Sequence, residues 1–161
     1  MNAEGPSPLA LGPPRSHDVG MRIIVGVDGS PASTRALEWC AEQAPLLGAE
    51  VVVVFSIEIP VFAASGFGGV PLPPPVEVDH DKVREVVETE WCAPLSKANV
   101  SFRTVVMDGP PASAIMALAE REGADLVVTG RRGRGGFAEL LLGSTSHHLS
   151  HHLDRPLVIV P

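Results

Sequence analysis

Four consecutive valines, at 51–54 within EVVVVFSI (50–57), constrain this chain more than any other feature. Such a run calls for a β-strand with both faces buried, and a strand of that kind needs packed layers above and below it. The rest of the chain offers them. RIIVGV (22–27), NVSFRTVV (99–106), DLVVT (125–129) and PLVIV (156–160) are further short strand candidates, and helix-length stretches lie between them. From about Ala32 to Leu47, the residues Ala36, Leu37, Cys40, Ala44 and Leu47 recur at three- and four-residue intervals, one apolar face of a helix. Ser30 or Ser33 caps that helix, Pro31 suits its first turn, and Gly48 stops it. A second helix over 79–97 puts Val83, Val86, Val87 and Trp91 on its apolar side and kinks or ends at Pro94. A third, from about Pro111 to Glu122, turns Ala114, Ile115, Leu118 and Ala119 inward, and a fourth opens at Ser144.

Strands alternating with helices in this way predict one α/β domain, a Rossmann-like five-stranded parallel sheet with helices on both faces and right-handed crossovers. In such sheets ligands bind beyond the carboxyl ends of the strands, near the point where strand order reverses. Two of those ends carry unusual chemistry here, Asp28 after the first strand and the glycine-rich stretch that starts at Gly130.

The bulk properties narrow the function. With 161 residues there is enough chain for one domain with a real core. A net charge of −7 and only 4% aromatic residues, none of them Tyr, argue against a nucleic-acid or anionic-membrane surface. No run is long and apolar enough to span a bilayer. Residues 1–20, rich in Pro and Gly, read as a disordered tail rather than a signal peptide, and the folded domain is expected over 21–161. Residues 58–78, which include GFGGVPLPPPV, read as a long loop, either a flap over a site or simply mobile. Cys40 and Cys92 form no CxxC and read as partly buried small hydrophobes without a disulfide, as suits a cytoplasmic protein.

Function is carried by GRRGRGGFAELLLGSTS (130–146). Gly133, Gly135 and Gly136 permit a turn that packs close to a ligand. Gly143 leads into Ser144, Thr145 and Ser146 at the start of the last helix, where unpaired backbone N–H groups make an anion site and hydroxyls add donors. Arg131, Arg132 and Arg134 bring positive charge to an otherwise acidic chain. A polyphosphate fits this arrangement. The segment is neither a P-loop, since it contains no Lys, nor a dinucleotide fingerprint, since the first strand leads into GVDGS.

The spacing Gly130, two residues, Gly133, nine residues, Gly143 and Ser144 matches G-x2-G-x9-G-[ST] without a gap. Together with the opening IIVGVDGS, GPPASAI after the third strand and the closing RPLVIVP, it resembles the ATP-binding branch of the universal stress proteins over 21–161. The resemblance implies an adenine nucleotide α-hydrolase-like fold with strand order 3-2-1-4-5 and ATP as the ligand. By position it sets Asp28 beside the adenosine, with Gly26 and Val27 as an adjoining backbone wall. It brings the backbone of Ser56 to adenine, Gly130 and Gly133 to the ribose and first phosphates, and Gly143, Ser144, Thr145 and Ser146 to the β- and γ-phosphates. A Cβ at Gly133 or Gly143 is then expected to block the approach of backbone to phosphate. The resemblance further implies a stress-response role and a homodimer through the last strand, Pro156 to Val160, which would also hide an exposed sheet edge.

No nucleophile–base–acid set is visible, so weak ATP hydrolysis with Mg2+ bridging the phosphates is the most that is expected. A nucleotide-free interaction scaffold, an ATP pyrophosphatase-type enzyme, and AMP or another adenine nucleotide as ligand remain as alternatives. His147, His148, His151 and His152 pair one helical turn apart, a spacing that can hold nickel or zinc. They carry no HExxH glutamate and read as surface or dimer-contact residues rather than a dedicated metal site.

Overall fold

In the computed structural model, which describes residues 20–58, 78–134 and 141–161, the expected strands form one sheet. They are β1 (Arg22–Val27), β2 (Glu50–Ile57), β3 (Phe102–Asp108), β4 (Leu126–Gly130) and β5 (Leu157–Val160). Their order is β3-β2-β1-β4-β5, and every pairing is parallel. The helices are α1 (Pro31–Leu47), α2 (His80–Val86), α3 (Ala93–Lys97), α4 (Pro111–Glu122) and α5 (Ser144–His152). Residues 1–19 of the expected N-terminal tail, almost all of the 58–78 loop, and Gly135 and Gly136 lie outside the described residues.

The valine run does what its composition requires. Val51 and Val53 face one apolar layer with Leu37, Cys40 and Leu95, while Val52 and Val54 face the other with Ile115, Leu118 and Leu149. In β1, Ile23 and Val25 go to the first layer and Ile24 to the second. Alternate residues therefore point to opposite faces, and both faces are covered.

Local chemistry fixes the helix ends that matter to the site. Ser30 caps α1, its Oγ accepting the Ser33 N–H at 3.2 Å, and Pro31 follows in the first turn, where its missing N–H costs no bond. At the far end Gly48 takes the left-handed conformation, φ 58°, and its N–H reaches the carbonyls of the last turn.

The 79–97 stretch departs from the expected single helix. α2 gives way to a π-helical turn at Val87–Trp91, and α3 begins at Ala93 after Cys92. Pro94 therefore stands in the first turn of a new helix instead of ending an old one. The wider π turn accommodates an extra residue and rotates the inward face. Val86, expected inside, is 43% exposed, while Val87, also expected inside, is buried at 1%. β3 also starts later than expected and continues to Asp108, because Met107 and Asp108 pair with Ser56 and Ile57 of β2. Leu47, in the last turn of α1, is exposed.

Both thiols are more deeply buried than the sequence suggests. Burial pushes Cys40 up to about 12. Cys92 goes to about 11, raised by burial first and also by the Glu88 carboxylate, with the nearby Thr104 hydroxyl acting in the opposite direction. Neither thiol is a ready nucleophile at neutral pH. No helix among the described residues is long and apolar enough to cross a membrane.

Candidate functional site

Strand order reverses between β1 and β4. From β1 the chain moves outward through β2 to β3, then returns to the other side for β4 and β5. At the carboxyl ends of these strands is a cavity of about 560 Å3, within the range of small-molecule sites. The residues expected there come from separate parts of the sequence and meet on its wall. Gly26, Val27 and Asp28 arrive from β1, Ser56 from β2, Gly130, Arg132, Gly133 and Arg134 from the end of β4 and beyond, and Gly143, Ser144, Thr145 and Ser146 from the start of α5.

Asp28 ties two of these segments together. One carboxylate oxygen accepts the Ser30 N–H at 3.0 Å, which organises the turn into α1. The other accepts the Arg134 N–H at 2.9 Å, across 106 positions of sequence. The aspartate thus starts a turn and also braces the segment that follows β4. Among the described residues these two bonds leave further acceptor capacity on its oxygens.

The described glycines of the motif make room for the protein itself. A Cβ on Gly130 would stand 2.6 Å from the Ala32 carbonyl carbon and 2.7 Å from its oxygen. One on Gly133 would run into the Asp28 carboxylate. One on Gly143 would stand 3.2 Å from the Arg132 Cα and 3.4 Å from the Arg131 oxygen. These contacts pull α1, the segment after β4 and the start of α5 into one tight corner.

Hydrogen bonds from Arg131 complete that corner. Its N–H donates to the Val160 carbonyl at 2.7 Å, and its carbonyl accepts the Gly143 N–H at 2.9 Å. The Ser146 hydroxyl, expected to face a ligand, is buried and donates to the carbonyl of Arg131 at 2.8 Å or of Gly143 at 3.1 Å. It therefore anchors α5. Gly143 provides no capping side chain, so the N–H groups of Ser144, Thr145 and Ser146 lack intrahelical acceptors and carry the positive end of the helix dipole. This is an anion site built from backbone.

The arginines differ in their surroundings. Arg132 buries its Nε with no hydrogen-bond partner among the described residues, which leaves this donor for a bound group. The Arg134 guanidinium stacks over Trp91, 5.3 Å from the ring centroid, and Trp91 meets Phe55 edge-on at 5.4 Å. Its backbone, held by Asp28, is what the cavity corner relies on.

Several lining residues were not foreseen. Ile115 faces inward on α4 as expected, but its Cδ1 stands over Gly26 so closely that a Cβ there would be 2.6 Å away. Phe55, Glu58, Pro111 and Thr129 also line the wall. Helical periodicity identifies an inward face without saying which strand it covers, so no signal in the sequence assigns Ile115 to this place. The wall is poor in activated groups. The Ser30, Ser33, Ser56 and Thr129 hydroxyls donate to backbone carbonyls rather than to a base.

The model of the universal stress protein family matches residues 21–161. Universal stress protein YxiE of Bacillus subtilis is 31% identical over 146 residues, 86% of this chain and 97% of that protein. A universal stress protein of Archaeoglobus fulgidus solved in complex with dAMP is similar in structure, with a TM-score of 0.61 at 23% identity, covering 89% of this chain and 99% of the other. A universal stress protein solved in complex with cAMP gives a TM-score of 0.64 at 22% identity, over 88% and 97% of the two chains.

Proposed function

We propose, from the premise that this chain belongs to the universal stress protein family, that it binds ATP with Mg2+ and acts as a nucleotide-dependent regulator of a stress response in the cytoplasm. One observation carries the reading. Gly130, Gly133, Gly143 and Ser144 stand on the same cavity wall as Asp28, at the strand-order reversal of a parallel sheet. Val27, Asp28 and Ser56 would border the adenosine, and the amino end of α5 would take the β- and γ-phosphates. The relatives solved with dAMP and cAMP support an adenine nucleotide as the ligand class.

Mg2+ suits the donors present. The Ser144 and Thr145 hydroxyls, on the side of the wall read as taking the phosphates, are oxygen donors. Phosphate oxygens and water would fill the rest of its shell. The Ser30, Ser33, Ser56 and Thr129 hydroxyls donate to carbonyls and none is set up as a nucleophile, so the reading is nucleotide binding with at most weak hydrolysis by water.

Isothermal titration with Mg-ATP, Mg-ADP and AMP tests this. ATP is expected to bind tightest. Arg132→Gln is expected to weaken ATP by about 10-fold or more, the worth of a charged hydrogen bond, and AMP far less. AMP binding as tight as ATP, unaffected by that substitution, would make the ligand a monophosphate. Failure of all three would favour a nucleotide-free scaffold.

The same reading includes a homodimer through β5. That strand stands at the end of the sheet order and pairs with β4 on one side. A second copy would cover its other edge. Val158→Arg is expected to halve the mass seen in light scattering, and an unchanged mass would exclude this seam.

A further inference from the structure

The histidines of α5 have no part in the cavity, whose wall includes none of them. Ser146 and Leu149 set the buried side of this helix, and His147, His148, His151 and His152 are all exposed. The four imidazoles therefore make up most of its solvent side. Four-residue spacing draws them into two pairs. The rings of His147 and His151 have centroids 4.7 Å apart, and those of His148 and His152 are 4.5 Å apart. Among the described residues no hydrogen bond or ion pair holds any of these rings.

Two imidazoles one turn apart on a helix are the bidentate unit that zinc-binding helices use, with about 2.0–2.1 Å between metal and nitrogen. Rings this close reach a shared ion by rotating about side-chain bonds on an open face. The electrostatics agree. His151 and His152 belong to the last turn of α5, where the carbonyl end of the dipole favours a cation, and the whole chain carries −7.

We propose that α5 carries two histidine clamps for a first-row divalent cation of the zinc, nickel and copper class, one made by His147 and His151 and the other by His148 and His152. Among the described residues no group of three or more His, Cys, Asp or Glu is placed to hold a metal. Water therefore fills the remaining positions, and the sites are open and exchangeable rather than closed and structural. The sequence shows the spacing. The paired, unpartnered rings and their shared exposure are what turn that spacing into a ligand set. The helix would then hold an anion at its amino end and cations at its carboxyl end, each where its dipole favours them. The clamps do not depend on the nucleotide.

The test uses the metal-stripped, nucleotide-free full chain titrated with Zn2+. Two steps are expected, the second weaker because neighbouring dications repel. His148→Gln should remove one whole step, and His147→Gln/His148→Gln should remove both, with circular dichroism unchanged because all the substituted side chains are exposed. Bound Cu2+ should show two imidazole nitrogens by electron paramagnetic resonance in the His148→Gln protein and fewer in the double variant. Zn2+ uptake that survives the double substitution, or a one-nitrogen Cu2+ signal in the unaltered chain, would overturn the clamps and leave an adventitious ion only.

Discussion

Replacing Gly130 with alanine is expected to lower the unfolding free energy by about 2–3 kcal/mol, the upper part of the range for overpacking, and to remove nucleotide binding from the protein that remains folded. The added methyl would meet the Ala32 backbone at 2.6 and 2.7 Å. Neither atom is the end of a flexible side chain, so β4 or the first turn of α1 must move. That turn is already held, since the Ser30 carbonyl accepts the Thr34 N–H at 3.0 Å and the Ser33 hydroxyl at 2.9 Å. Beyond it, α1 drives Ala36, Leu37 and Cys40 into the core. Separating α1 from β4 would also stretch the bond from the Arg134 N–H to Asp28. Gly143→Ala is the control. Its Cβ would be 3.2 Å from the nearest atom, and the native φ of −74° suits any residue. A loss of about 1 kcal/mol or less is expected there. Urea unfolding measures both, and a shifted midpoint with an unchanged slope marks a change in stability. A Gly130→Ala chain as stable as the parent would show that the corner can yield.

The sheet was legible in the sequence because its signals are local. A valine run covered on two sides, Ser30 before Pro31 and Gly48 after Leu47 each state a rule that neighbouring residues obey, and the structure keeps all three. The strand order came from the family resemblance, since alternating strands and helices do not by themselves say which neighbours pair. The π turn at Val87–Trp91 was not legible. It depends on how Cys92 and Leu95 pack beneath α1, and a helical repeat with one residue extra reads as an ordinary repeat until the packing is known. In the site, the spacing of Gly130, Gly133 and Gly143 could be read, but the reason for it could not. The atoms that forbid a Cβ at Gly130 and Gly133 belong to Ala32 and Asp28, both distant in sequence from the motif, whereas those of Arg131 and Arg132 only crowd one at Gly143. Ser146 shows the converse. Its type and position suit a phosphate donor, yet its hydroxyl turns inward to carbonyls.

Asp28 and Gly133 should behave as one unit, and a double-mutant cycle is expected to show it. Asp28→Ala removes the acceptor of two backbone N–H groups, those of Ser30 and Arg134, at a cost of about 1–3 kcal/mol. Gly133→Ala leaves the carboxylate in place and forces a methyl against it. The carboxylate must then turn away, which breaks the same bond to Arg134. In an Asp28→Ala background the obstruction is gone, so the second substitution should cost almost nothing. The double variant is therefore expected to be more stable than the sum of the single losses by about 1–2 kcal/mol, a coupling typical of residues in contact. Nucleotide affinity should fall in both single variants, because each releases the segment after β4 that carries Arg132. Strictly additive stability losses, with ATP binding lost only in the Gly133 variants, would give Gly133 a different purpose. Its missing side chain would then serve the bound phosphate directly, and the carboxylate beside it would be a neighbour rather than the reason for the glycine.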